Sequence, residues 1–438
     1  MIRVYIISII LIFNSLLFAN PANLDTTFGK SGKVITSFGT YVDIVKDIAI
    51  QKDEKIIAVG TSYNGNHNIY AVVRYENNGS LDATFGKEGK VTTAIGGGNA
   101  VAHSIALQTD GKIIVAGTGH AFTMVRYDSN GSLDSTFGQN GIVSTVVGGH
   151  SDETSAVATT QNGRIFLAGT SFNGRDEDFA LACYHNDGSL DHSFGTDGIV
   201  TTAIDNGNDE AHALAIQSDG KIIVAGDSSI DNSGHYFDTF TLVRYNLDGS
   251  LDTDFGSNGI VTTSVGVGSS HAYDITIQND HKIVVAGYGD NGHGTDYIVV
   301  RYNEDGSLDT SFGTGGKVMT DTGSYTNLAW SVALQRDGKI VVGGESYNSS
   351  SDGRFTVVRY NKNGSLDTCF GKNGIIKTQI GTKNDIAYSV AIQSDQKILA
   401  AGGSSNKNSN YNFALVRYRG GGCTDSSSIL SPVYYLLQ

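Results

Sequence analysis

Past residue 20 the apolar residues of this chain fall in short runs, without the three-to-four spacing of an amphipathic helix. Four such runs follow one another in one stretch: ALAIQ (213–217), KIIVAG (221–226), FTLVRYN (240–246) and GIVTT (259–263). Runs this short, rich in Val, Ile, Thr and aromatic residues and bounded by Gly, Asn and Asp, predict β-strands. The first two are joined by SDG, and equivalent links read TDG (109–111) and RDG (336–338). These are short Asx-Gly turns that close hairpins, so neighbouring strands are expected to be antiparallel.

The pattern repeats. Leu-Asp pairs begin at Leu24, Leu81, Leu133, Leu190, Leu251, Leu308 and Leu366, at intervals of 57, 52, 57, 61, 57 and 58. Each is followed by a Phe-Gly step, at Phe28, Phe85, Phe137, Phe194, Phe255, Phe312 and Phe370, which reads as a packing device. Seven four-stranded units predict an all-β fold, a seven-bladed β-propeller over residues 23–418, because the rungs of a β-solenoid are far shorter. A lone strand of the fourth type, KVITSF (33–38), precedes the first full unit, and the last unit stops after its third strand, NFALVRY (412–418). The N-terminal strand is therefore expected to complete the last blade and close the ring.

These motifs, LDxxFG followed by GKV together with DGKIIVAG, resemble the delta-60 repeat family of bacterial propeller-type repeats over residues 23–418. The resemblance implies a β-propeller in an exported or surface protein and brings no catalytic motif with it.

Composition changes the picture in three places. The opening MIRVYIISIILIFNSLLFAN has one cation, Arg3, and an apolar run ending before Ala19, which predicts a signal peptide over residues 1–19. The product is then secreted, periplasmic or attached to the cell surface, without a transmembrane segment once the leader is removed, and is expected to be monomeric. Without Arg3 the 30 cations become 29 against 44 carboxylates, and no local basic patch offsets the excess, so nucleic acid is excluded as a partner. Only three cysteines occur, of which Cys369 and Cys423 fall on the same face of adjacent repeats and could pair. The tail, residues 419–438, is rich in Gly and Ser and then apolar, and is expected to be loosely ordered or to lie on the ring through Tyr434 and Tyr435.

Candidate chemistry divides into recurring and variable residues. Arg74, Arg126, Arg244, Arg301, Arg359 and Arg417 precede Tyr in the third strand, with Cys183 in the third repeat. They could ring an anionic ligand, but the equally regular Asp of the LD step makes an internal ion pair, such as Arg301 with Asp309, the expected arrangement. In YDSNGSLD (127–134), Asp128, Asn130, Ser132 and Asp134 alternate as in a Ca²⁺ loop, yet the glycine is misplaced and no bidentate Glu follows. No metal site or cofactor is expected, and HExxH, GxSxG, Walker A and CxxC motifs are absent.

Variation concentrates in the connectors from strand four to strand one and from strand two to strand three, which antiparallel alternation sends to one face. There 18 carboxylates stand against Lys46, Arg175, Arg354, Lys383 and Lys407, predicting a negative surface that favours cations or basic partners. At the position opening the first strand the seven copies read Lys46, His103, Ser155, His212, Tyr273, Trp330 and Tyr388. Tyr273, Trp330 and Tyr388, with His212 and His103, are the candidate ligand-binding residues for a glycan or a protein or peptide; alternatively the three rings only cap the space between blades. The reading that follows is an exported, non-enzymatic binding or scaffold module. A polysaccharide hydrolase or lyase using carboxylates and His212 or Tyr273 near the ring axis is the alternative.

Overall fold

Each LDxxFG unit folds as four antiparallel strands whose character changes from axis to rim. In blade 1 they are Asp43–Ile50, Ile56–Tyr63, Asn68–Tyr75 and Lys90–Thr93, paired in that order. The second and third are buried almost throughout, as continuous apolar runs must be when both faces of a sheet are covered. The computed structural model describes residues 24–39, 42–119, 121–149, 152–232, 235–347, 352–407 and 410–421. The predicted leader (1–19), most of the tail and Cys423 lie outside the described residues; Cys369 is disulfide-bonded and Cys183 is a free, buried thiol.

Seven blades form a closed circle, as the repeat count predicts. Every pair of neighbours encloses its own apolar core: between blades 4 and 5, for example, Ile223, Leu242 and Phe255 meet Ile283, Val285 and Ile298. The seam between blades 7 and 1 is built the same way, from Leu399, Phe413, Leu415 and Phe28 against Val45 and Ile56. The N-terminal strand Lys33–Thr36 supplies the fourth strand of blade 7, pairing with Tyr411–Tyr418 in a register from Lys33↔Val416 to Thr36↔Phe413.

The recurring arginines do not face a ligand. Arg74, Arg126, Arg244, Arg301, Arg359 and Arg417 are buried, and Nε of each donates to the Asp of its LD step at 2.6–2.9 Å. The guanidinium carbon of each also lies 4.2–4.6 Å from the centroid of a Phe ring of the Phe-Gly step. Nη1 then reaches out of the blade to a backbone carbonyl of the next one, such as Lys362 O from Arg301 or Asn77 O from Arg417. Arg359, the most deeply buried, takes Gly420 O and Gly421 O instead, so the first residues of the tail stand in for a blade turn. In blade 3, where Cys183 replaces the arginine, Arg164 of the neighbouring strand pairs with Asp191 at 2.9 Å and lies 5.2 Å from the Phe166 ring. Other blades place a lysine at this position that also pairs with the LD carboxylate, such as Lys112 with Asp134 at 2.6 Å, so blade 3 keeps one of the two cations, as an arginine.

The Phe-Gly steps complete the joint. All seven phenylalanines are fully buried, and the following glycine donates its N–H to a turn of the next blade, as from Gly86 to Asn130 O at 2.8 Å. Gly86 has φ +53°, and a Cβ there would lie 2.5 Å from Lys90 O, so no other residue fits the step without a clash.

Two outcomes test this architecture. Arg301→Ala leaves the buried Asp309 carboxylate with Lys282, 2.6 Å away, as its one cation, and should lower the unfolding free energy by about 3 kcal/mol in denaturant titration; an unchanged midpoint would show the clamp to be ornamental. Deleting residues 24–36 removes both Asp25 and the closing strand, and should lower the melting temperature far more than deleting residues 424–438. Equal melting of the two truncations would refute closure by the N-terminal strand.

Candidate functional site

The innermost strand of each blade carries a β-bulge at one repeated place. Its pairing with the second strand skips one residue between Val45 and Asp47, Ala102 and Ser104, Thr154 and Ala156, and Ala211 and Ala213. Blades 5, 6 and 7 repeat the skip between Ala272 and Asp274, Ala329 and Ser331, and Ala387 and Ser389. The skipped residues are Lys46, His103, Ser155, His212, Tyr273, Trp330 and Tyr388, the seven variable positions singled out from the sequence. A bulge re-aims its side chain, and all seven line a single axial cavity of ≈ 140 Å³.

What permits the bulge is a glycine in the facing strand, the last residue of each IIVAG-type run. At Gly60, Gly117, Gly169, Gly226, Gly287, Gly344 and Gly402 an added Cβ would lie 1.9–2.0 Å from a carbonyl oxygen of the bulged strand, such as Glu210 O opposite Gly226. The recurring glycine thus fixes where a variable side chain is turned into the axis.

The aromatic candidates meet one another and take no part in the inter-blade cores. Tyr273 packs edge-on to Trp330 at 4.5 Å, Trp330 lies 5.7 Å from Tyr388, and the Lys46 ammonium sits 3.7 Å over the Tyr388 ring. Tyr288 joins the arc, stacked on Tyr273 at 5.3 Å with the two hydroxyls 3.3 Å apart. Trp330 Nε1 donates to Glu345 Oε1 at 3.3 Å, leaving Oε2 of that buried carboxylate without a hydrogen bond. Burial, opposed by donors from Tyr347 and Trp330 and by the Lys46 charge, pushes Glu345 up to about 7. Burial likewise brings Lys46 down to about 8, and with the charges of Lys46 and His212 it brings His103 down to about 4.

On the other side of the arc, blades 4 and 5 assemble a cluster that sequence reasoning did not combine. His212 stacks on Tyr273 at 4.6 Å and places Nε2 3.0 Å from Asp227 Oδ1. His271 Nδ1 lies 3.1 Å from Asp227 Oδ2, and its Nε2 lies 3.6 Å from Asp238 Oδ2. Glu210 Oε2 is 3.9 Å from His212 Nε2, and Glu210, His212 and Asp227 bring three potential ligand atoms within 4.8 Å of one another. Repeat alignment carries the missing signal: Glu210 and His271 occupy the same position of adjacent inner strands, and Glu210 pairs across the ladder with Asp227.

The negative face needs correction. Asp43, Asp152, Asp209 and Asp385 are almost wholly buried. Asp43, for example, accepts from Phe38 N and Ser62 Oγ, fastening the connector to the blade. Counting carboxylates by sequence therefore overstated the exposed charge, because these acids serve loop amides. In the turn 127–134, Asp134 faces inward to Lys112 and Arg126, and Asn130 Oδ1 accepts from Ser132.

A family model described as "Domain of unknown function (DUF5122) beta-propeller" matches residues 51–85, 108–137, 160–194, 217–255, 278–312, 335–370 and 393–427. Those segments hold the clamp and pass over all seven bulge residues. Similar solved structures include a protein of unknown function from Dyadobacter fermentans, 9% identical with TM-score 0.48, covering 89% of this chain and 98% of that one. Chaetomium thermophilum Sqt1 bound to the N-terminus of the ribosomal protein L10 is 12% identical with TM-score 0.44, covering 83% and 84%. A PL25 ulvan lyase bound to -[GlcA(1-4)Rha3S]- is 14% identical with TM-score 0.48, covering 89% and 94%. No curated protein matches the chain.

Next to the bulge residues, side chains satisfy the unpaired inner edge of the ring. Ile105 N donates to Asp47 Oδ2 at 3.0 Å, Val332 N to Asp274 Oδ2 at 2.7 Å and Val390 N to Ser331 Oγ at 3.1 Å, each reaching back one blade. Asp47 and Asp274 keep a little surface toward the cavity while protein surrounds every other side. Burial pushes Asp47 up to about 6 and Asp274 up to about 7, outweighing the hydrogen bonds they accept. Folded values above the ordinary carboxylate range mean that folding takes up protons, so stability should fall as pH rises from about 4 to about 7. Asp25 behaves oppositely: burial would raise it, but Thr27, Arg417 and Lys397 hold it at about 2, and its contribution is lost only as pH drops below about 4. Melting temperature should therefore fall from about pH 4 to about pH 7, and Asp274→Asn should flatten that limb; an unaltered limb in that variant would remove Asp274 as the cause.

Proposed function

The chain belongs to the DUF5122 β-propeller family, and we propose that it is an exported, non-enzymatic binding module that takes the end of a glycan into its axial pocket. The observation that carries this reading is the convergence of seven bulge side chains, four of them Lys46, Tyr273, Trp330 and Tyr388, on one cavity. Its ≈ 140 Å³ compares with the roughly 150 Å³ that accommodates a benzene ring in an engineered core. One six-membered ring fits such a space, and a polymer running across it does not. A pyranose suits the walls: aromatic rings for its C–H surface, with Lys46, His103 and Ser155 for its hydroxyls.

Chemistry favours holding over turnover. Burial and the neighbouring Tyr288 phenol push Tyr273 far above the ordinary tyrosine value, so at neutral pH it donates a hydrogen bond and is a poor base. Export is supported by the apolar opening of the chain and by the disulfide at Cys369, which suits an oxidising compartment. In this reading the protein is a secreted, periplasmic or surface-held monomer of delta-60 type.

Glycan-array screening followed by calorimetry tests the proposal. Replacing Tyr273, Trp330 and Tyr388 by Ala should abolish detectable binding, since each aromatic anchor contributes about 2 kcal/mol, roughly 30-fold in Kd, and melting should change little. A triple variant that binds normally would place the contact surface elsewhere, binding confined to peptides would remove the glycan assignment, and release of cleaved ends from a bound glycan would make the protein an enzyme.

A further inference from the structure

We propose that Glu210, His212 and Asp227 form a binding site for a divalent first-row transition metal, zinc being the probe of choice, at the edge of the axial pocket. The distances match such an ion. Bonds of about 2.0–2.1 Å in a tetrahedron put neighbouring donor atoms about 3.3 Å apart. Here His212 Nε2 is 3.0 Å from Asp227 Oδ1 and 3.9 Å from Glu210 Oε2, so the two edges bracket that value. The third edge, between Glu210 and Asp227, is within 4.8 Å, and rotation of the half-exposed Glu210 side chain would close it on the ion.

The surroundings are those of a held ligand set. Asp227 is 6% exposed, and its second oxygen accepts from His271 Nδ1 at 3.1 Å, which fixes the carboxylate from behind as outer partners do around bound metals. His212 is oriented twice, by its bulge and by the Tyr273 ring stacked 4.6 Å away. His271 in turn leans on Asp238. Among the described residues no Lys or Arg forms an ion pair with Glu210, Asp227 or Asp238; the ion-pair partners these carboxylates have are the two imidazoles.

The donor set chooses among ions. Calcium and magnesium take oxygen ligands almost exclusively, whereas imidazole with carboxylate suits zinc, iron, manganese and their neighbours. Three protein ligands leave one tetrahedral position, which water or a hydroxyl oxygen of a bound molecule would fill. His212 also lines the axial cavity, so the metal would sit beside whatever enters it. This inference stands apart from the glycan reading, since none of the three aromatic anchors is a ligand.

The test uses the whole mature protein, stripped with a chelator and titrated with zinc alone by calorimetry, then loaded with Co²⁺ for its visible spectrum. One equivalent should bind with a Kd near or below about 1 μM, a free energy of about −8 kcal/mol, and Co²⁺ should give bands of low coordination number. His212→Ala and Asp227→Asn should weaken zinc at least 100-fold, and His271→Ala roughly 10–100-fold. Glu210→Gln, at a half-exposed position where folding is not at stake, should weaken it at least tenfold. His192→Ala, which removes an exposed histidine 3.8 Å from Asp197, should change nothing. Failure to saturate at one equivalent, or equal uptake by the Glu210→Gln and His212→Ala variants, would overturn the site. Zinc failing while glycan still binds in chelator would overturn the metal alone; zinc retained by the Tyr273, Trp330 and Tyr388 triple variant that has lost glycan would uphold both.

Discussion

A buried guanidinium holds this ring together. In six blades an arginine lies within hydrogen-bond reach of its own blade's LD carboxylate and on a Phe ring, and against a carbonyl of the next blade or, for Arg359, of the tail. A charge placed so deep is stable only when every donor is used, so each blade requires its neighbour in position. That requirement explains why the repeat tolerates variation almost everywhere except LDxxFG and VRY. Blade 3 shows that one guanidinium can serve both ends, for with Cys183 in the usual place Arg164, at the position of the lysine of other blades, takes Asp191 and reaches Leu247 O of the next blade.

The fold was legible because the clamp is written seven times. LDxxFG and IIVAG recur at fixed offsets, the strand count per unit follows from the turns between them, and KVITSF without a partner announced how the circle closes. The site was legible only in part. Its seven bulge residues could be aligned, but nothing local to Tyr273 or Trp330 says that these rings meet; that follows from a bulge, and the bulge from a glycine one strand away. Gly226 was read as a strand residue, when its absent Cβ is the space that Glu210 O fills.

Two kinds of carboxylate also look alike in one dimension. Asp209 and Glu210 are adjacent in sequence, yet the first is sealed under a loop, accepting from Ile204 N at 2.8 Å, while the second is half exposed beside His212. Strand alternation sends them to opposite sides, so a tally of acids along a connector says little about the field above it. The family match reflects the same division. Its segments take in the clamp arginines of all six blades that carry one, and leave unmatched the seven bulge residues.

The seam in blade 7 ties Asp25 to Arg417 across 392 residues. Bringing such distant points together costs chain entropy that grows as about 1.5 RT ln n, roughly 5 kcal/mol beyond the cost of initiation. The strand made first is thus the strand used last, and six blades must stack before their cores can offset that cost. A ring assembled in this order also has a preferred place to come apart. Its blades differ little in their internal contacts, but only one of them is held by a strand that nothing covalent keeps nearby.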